Sequence, residues 1–262
     1  MVKAGGWGAA TDRGTLRTLN EDSYVAFPPV FVVADGMGGH AAGNLASQIV
    51  AQEFTALAKC EIVSADQALA VVNRANEAIL DVARNDLSCA GMGTTLTGLI
   101  SVVAAGVPHW LLINVGDSRV YKLSDGHLKQ LTVDHSEVQE LIDAGELTPE
   151  EALHYSRRNV VTRSVGTEPP PSADSWLFPP GEDERFILCS DGLTGELTDL
   201  EIEKLAVSID DPQLLAQNLV SKAVAAGGRD NITVIVVDGF SQSSVGFADE
   251  TTLPRYSIEG GQ

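Results

Sequence analysis

Basic residues are scarce in this chain of 262 residues: 17 Lys and Arg stand against 36 Asp and Glu, a formal charge of −19. Nucleic acid and anionic membranes are excluded as partners, because phosphate surfaces are bound through a basic face that this composition does not supply. The acidic excess leaves cation binding, basic partners or simple solubility open. Cysteine is scarce too. Cys60, Cys89 and Cys189 are odd in number and far apart, which excludes a disulfide framework and suits reduced thiols in a cytoplasmic protein. No window approaches the roughly 18 consecutive apolar residues of a membrane span, and Met1 to Gly14 lacks the basic-then-apolar pattern of a signal peptide. The expectation is a soluble, cytoplasmic, monomeric protein with no membrane segment and no internal repeat.

What is present is a large stock of apolar residues, 44% of the chain, enough for a single core. The run Val30 to Ala34 reads as a buried strand ending at Asp35, and strand character recurs at 94–103, 109–115, 118–123, 173–178, 185–189 and 232–237. The three runs between 94 and 123 read as an antiparallel meander. Helical spacing marks 40–58 and 66–87, shorter helices near 137–142 and 148–153, then 199–207 and 212–226. The polar stretch 134–166 reads as an insertion over the sheet. Beyond Gly239 periodicity stops, so 1–240 reads as the domain and 241–262 as a disordered acidic tail. Strands and helices without strict alternation favour an α+β fold of packed antiparallel sheets covered by helices.

Apolar strands repeatedly deliver an aspartate to their end or start from one: Asp35-Gly36, Gly116-Asp117, Asp191-Gly192 and Asp230-Asn231. Each alone is an ordinary turn signal. Four converging carboxylates repel one another and resist burial unless a cation joins them. With no His or Cys pairs nearby, hard oxygen donors suit Mg²⁺ or Mn²⁺ better than zinc. Gly36, Gly38 and Gly39 suit a chain passing close to a metal or phosphate, and Gly36 can offer its carbonyl. Arg17, just before Glu21-Asp22, is either a surface charge or a guanidinium for phosphate; Glu21-Asp22 is either a solvated loop or a carboxylate pair beside a metal.

In order, Arg17-Thr18-Leu19-Asn20-Glu21-Asp22, Asp35-Gly36-Met37-Gly38-Gly39-His40, Gly93-Thr94-Thr95, Gly116-Asp117-Ser118-Arg119, Asp191-Gly192-Leu193 and Asp230-Asn231-Ile232-Thr233 resemble the motif series of the metal-dependent (type-2C) protein phosphatases. The form Asp-Gly-Met-Gly-Gly-His, with Asp134-His135-Ser136 through Arg157-Arg158-Asn159, is similar to the bacterial branch, where the latter stretch is a flap. The resemblance implies a four-layer α-β-β-α sandwich with that flap, and hydrolysis of phosphoserine and phosphothreonine in proteins, opposing Ser/Thr kinases. It implies two Mn²⁺ or Mg²⁺ ions. Asp35, Asp191 and Asp230 match the ligands of one, with Asp35 bridging; Glu21 and the Gly36 carbonyl match contacts of the second, direct or through water. Asp22 matches a residue supporting that shell, Arg17 the phosphate-binding arginine, and Asp117 with Asp191 a third, weaker metal site. Two such cations lower the pKa of a shared water that attacks phosphorus directly, without a phosphoenzyme.

Met37 departs from relatives that carry a histidine at this position as proton donor. A thioether cannot donate, which leaves a metal-bound water or His40; a helix start disfavours the imidazolium an acid needs, so His40→Ala is expected to keep most activity on an aryl phosphate. Tyr155 replaces a proline frequent in the flap of relatives. A catalytically silent binding module on the same fold, and an enzyme devoted to one phosphorylated regulator, are the competing functions. In the tail, Thr251 and Thr252 beside Asp249-Glu250 are either plain linker or sites for a partner kinase.

Overall fold

A computed structural model describes residues 5–38, 41–152, 155–181 and 183–239. His40, Gly39 and the tail, with Thr251 and Thr252, lie outside the described residues.

Two antiparallel sheets face each other. The first orders β1 (Trp7–Asp12), β11 (Ile232–Asp238), β10 (Arg185–Cys189), β7 (Arg119–Ser124) and β8 (His127–Gln130). The second orders β2 (Asp22–Phe27), β3 (Val30–Met37), β5 (Leu96–Ala104), β6 (Val107–Val115) and β9 (Asp174–Phe178), with the short β4 (Gly93–Thr94) added to the end of β3. Helices α1 (Ala41–Ala58) and α2 (Ala65–Asn85) cover the second sheet; α5 (Asp191–Thr194), α6 (Asp199–Ser208) and α7 (Pro212–Ala226) cover the first.

The layering follows from the two-residue period of strand side chains. In β3, Val30, Val32 and Ala34 pack under α1 and α2, whereas Phe31 and Val33 turn to the opposing sheet. In β11, Val234 and Val236 meet the helices while Ile235 and Val237 face inward. The inter-sheet core centres on Trp110 and Phe186, edge to face with ring centroids 5.7 Å apart, and each such buried ring contributes about 2–3 kcal/mol by leaving water. The expected four-layer sandwich is the fold observed.

Local expectations differ in three places. Strands β1, β2 and β8 mix polar or exposed residues with buried ones, and β1 and β2 do so without a clean two-residue period, which hid them among the Gly, Asp and Pro punctuation. The meander is interrupted: β5 and β6 pair, but after Gly116-Asp117 the chain crosses so that β7 pairs with β10 and β8 in the other sheet. Helix α2 stops at Asn85 because the Asp86 carboxylate accepts from the Ser88 amide and opens a short 3₁₀ turn at Leu87–Cys89.

The flap contains α3 (Glu137–Asp143) and α4 (Pro149–Ala152). Its ends are tied down by the Arg119 ion pair to Asp134, a bridge between Ser136 and Val161, and another between Thr94 and Val165. Tyr155 takes up a bond of its own, donating its hydroxyl to Glu137 at 2.9 Å.

Candidate active site

The sheets end together at one side of the sandwich, and the expected residues meet there. Asp35 lies near the end of β3, in register with Asp22 on β2. Asp117 sits where the chain crosses between sheets, Asp191 is the first residue of α5, and Asp230 stands just before β11. A cavity of about 370 Å³ is lined by Arg17, Glu21, Asp35, Gly36, Asp117, Asp191 and Asp230; Asp22 lies buried behind them. Glu21 stands just before β2 and lines the cavity. Asp22 opens a strand and faces the other sheet, accepting hydrogen bonds from Ser190 Oγ at 2.8 Å and Thr233 Oγ1 at 2.7 Å.

Gly36 is also needed for packing. A Cβ there would lie 2.1 Å from the Gly43 carbonyl oxygen at the start of α1 and 2.7 Å from that of Glu21. The glycine admits the helix, and its backbone also lines the cavity.

Electrostatically the cavity is under-neutralised. Burial first, then the charges of Asp22, Asp191, Asp117 and Asp230, holds the Asp35 carboxyl well above the carboxylate range. Burial is again the main cause for Asp22, pushed up to about 7, Asp117, to about 8, and Asp191, to about 6, with neighbouring aspartates adding to it. Asp35 and Asp191 keep partial solvent contact at the cavity mouth, yet protein surrounds them closely enough for desolvation to dominate. Arg17, half exposed, places Nη2 2.6 Å from Asp230 Oδ2. Burial opposes its charge, and Asp230, Asp35 and Glu21 more than offset that, raising its pKa.

Several supporting residues were quoted in the motifs but not given roles. Thr95 Oγ1 accepts from the Asp35 amide at 3.0 Å and bonds Ser118 Oγ at 2.8 Å, while Thr94 Oγ1 and the Thr95 amide donate to the Asp35 carbonyl. The pair therefore fixes Asp35 to the crossing that carries Asp117. Asn231 donates to the carbonyls of Arg13 and Leu19 and accepts from the Glu21 amide, holding the loop that presents Arg17. Their presence inside recurring motifs was the available signal; their partners, up to about two hundred residues away in sequence, carry no local pattern.

The donor set fits hard divalent cations. Asp22 Oδ1 and Asp191 Oδ1 are buried and accept no hydrogen bond, all the donors are oxygens, and one arginine faces several carboxylates. Among the described residues, however, no three of these side chains stand as a finished ligand set; the structure gathers them around one cavity and goes no further.

Known proteins resemble this chain in sequence and in fold. The family model described as protein phosphatase 2C matches residues 18–215, a span holding Glu21, Asp22, Asp35, Gly36, Asp117 and Asp191. The serine/threonine phosphatase Stp of Listeria monocytogenes is 37% identical over 240 residues, covering 87% of this chain and 93% of its own. The structure of the serine/threonine phosphatase PstP from Mycobacterium tuberculosis superposes with a TM-score of 0.81 at 37% identity, over 88% of this chain and 97% of that one. A structure of the PstP catalytic domain with two manganese ions gives 0.79 at 37% identity, over 89% and 97%. From ordered motifs, a four-layer sandwich and these likenesses together, the chain belongs to the protein phosphatase 2C family.

Proposed function

We propose that this chain hydrolyses phosphoserine and phosphothreonine in proteins, using two divalent cations, Mn²⁺ or Mg²⁺. The carrying observation is the cavity that gathers Glu21, Asp35, Asp117, Asp191 and Asp230 under one arginine. Asp35, Asp191 and Asp230 would hold one ion, Asp35 reaching both, with Glu21 and the Gly36 carbonyl toward the second and Asp117 with Asp191 available to a weaker third. When bound, the ions supply charge neutralisation of the phosphoryl group and acidify the water that attacks it.

The chain's own groups do the rest. Arg17 projects its guanidinium over the cavity and orients the phosphoryl oxygens. Asp22, through Ser190 and Thr233, locks the ends of β10 and β11 that carry Asp191 and Asp230. Met37 lines the cavity and cannot move a proton. Phosphorylated Ser/Thr proteins are the substrates and Ser/Thr kinases the opposing partners, with the chain acting as a cytoplasmic monomer. Among the described residues no helix is long and apolar enough to cross a membrane. Mn²⁺-dependent phosphate release from a phosphothreonine peptide, abolished by Asp191→Ala, is the expected result; peptide binding with no release would sink the enzymatic reading.

A further inference from the structure

A second, larger cavity of about 600 Å³ opens from the catalytic one, sharing Asp117, Asn159, Asp191 and Asp230 with it. Its flap wall carries an apolar strip among polar neighbours: Val138 and Ile142, four residues apart on α3, stand with Pro149 and Ala152 of α4, and Gln139, Arg158 and Asn159 line the same wall. Val138 and Ile142 are half-buried and belong to none of the three hydrophobic cores. An i, i+4 apolar pair that packs on no core faces the groove instead.

The wall is also held in place. Ser136 caps α3 by accepting from the Gln139 amide, and Glu137 is gripped by Arg157 at 2.6 Å and by the Tyr155 hydroxyl. Opposite, two of the arginines that line the groove are held by carboxylates; Arg158, exposed on the flap, is the third arginine of the lining. Arg119 is paired to Asp134 at 2.6 Å, and Arg229 to Glu196 at 2.9 Å, with a further bond from Arg229 to the Gly195 carbonyl.

From this we infer that the groove between α3 and α5 holds the polypeptide flanking the phosphorylated residue and selects for an apolar side chain there, received by Val138 and Ile142. The occupant follows from continuity: a phosphate seated among Arg17 and the aspartates leads its chain into the adjoining groove. Arg119 and Arg229, already bound to carboxylates, offer little to an acidic flank, and the i, i+4 apolar pair on α3 supplies contact beyond the phosphate. This inference rests on the phosphatase reading and names the substrate class for it.

The test compares phosphothreonine peptides carrying Leu, Ala or Asp at each position within three residues of the phosphothreonine, alongside an aryl phosphate, all with Mn²⁺ and the full chain. At one or more positions Leu gives roughly tenfold or greater kcat/KM over Asp, the scale of one apolar side chain in a pocket. In Ile142→Asp the ratio of peptide to aryl-phosphate kcat/KM falls about tenfold, and Ile142→Leu restores it. Indifference to the flank, preference for Asp, or a ratio unmoved by Ile142→Asp overturns the inference. So does a dimer in sedimentation that dissolves in Ile142→Asp, which would assign the face to a second copy. If wild type releases phosphate from neither substrate, the phosphatase reading itself has failed, a distinguishable outcome.

Discussion

Two acidic cavities among the described residues handle charge in opposite ways. The one distant from the flap, about 650 Å³, is lined by Asp125, Asp183, Glu184, Asp210 and Asp238, and two of these acids have resident cations. Lys122 pairs with Glu184, Arg185 pairs with Asp238 at 2.6 Å, and Arg185 also reaches the carbonyls of Ile209 and Asp210. The catalytic cavity crowds Asp22, Asp35, Asp117 and Asp191 together, and burial raises the pKa of all four. An acidic cluster with its own cations is a fastening; one with a single arginine among many buried carboxylates holds stored repulsion, the signature of a site that binds.

Substitutions at the two cavities should therefore have opposite signs. The largest effect is expected from Asp191→Ala, which lowers kcat/KM on a phosphothreonine peptide on the order of a thousandfold or more, yet raises the thermal midpoint of the metal-free chain by relieving repulsion. A lower midpoint there would break the contrast. Arg17→Ala follows, with a loss of roughly a hundredfold in kcat/KM, measured by phosphate release at saturating Mn²⁺. Thr95→Val, which unfastens Asp35 from Ser118, is expected to weaken Mn²⁺ binding about tenfold by calorimetry. At the other cavity Glu184→Ala leaves activity within about twofold and destabilises by about 1–3 kcal/mol, read as a lower unfolding midpoint; an activity loss there as large as for Arg17→Ala would erase the distinction.

pH provides a subtler probe. The raised carboxyls at Asp22, Asp117 and Asp191 bind more protons folded than unfolded between about pH 4 and pH 8, so their contribution is most favourable at low pH and is lost as pH rises through about 6 to 8. The metal-free chain should lose stability over that interval, and Mn²⁺ should restore more at pH 8 than at pH 5. Scanning calorimetry at both values checks the sign, and a flat profile would mean these groups are not buried together.

The parts legible in sequence were those with a local signature. Long amphipathic α1 and α2, the β-branched run of β11 and the aspartates closing apolar strands all declared themselves within a few residues. Strand β2 did not, since Asp-Ser-Tyr-Val-Ala-Phe includes an exposed Tyr24 and Phe27, and so Asp22 could be read as loop. The switch of β7 to the other sheet was hidden because a crossing at Gly116, with φ of 107°, looks like any tight turn in sequence. The contacts of Thr95, Asn231 and Thr233 depend on segments brought together only by the fold. Family resemblance located the site; only the fold explains why those hydroxyls and amides stand around it.

The register of Asp22 with Asp35 on one sheet, against Asp191 and Asp230 on strand ends of the other, means that the reaction centre spans a seam. Sliding one sheet against the other by a fraction of an ångström respaces every ligand at once. The aromatic pair Trp110 and Phe186 packs between the two sheets, so trimming Phe186 to Leu is expected to lower kcat/KM on a phosphothreonine peptide without touching a charged group.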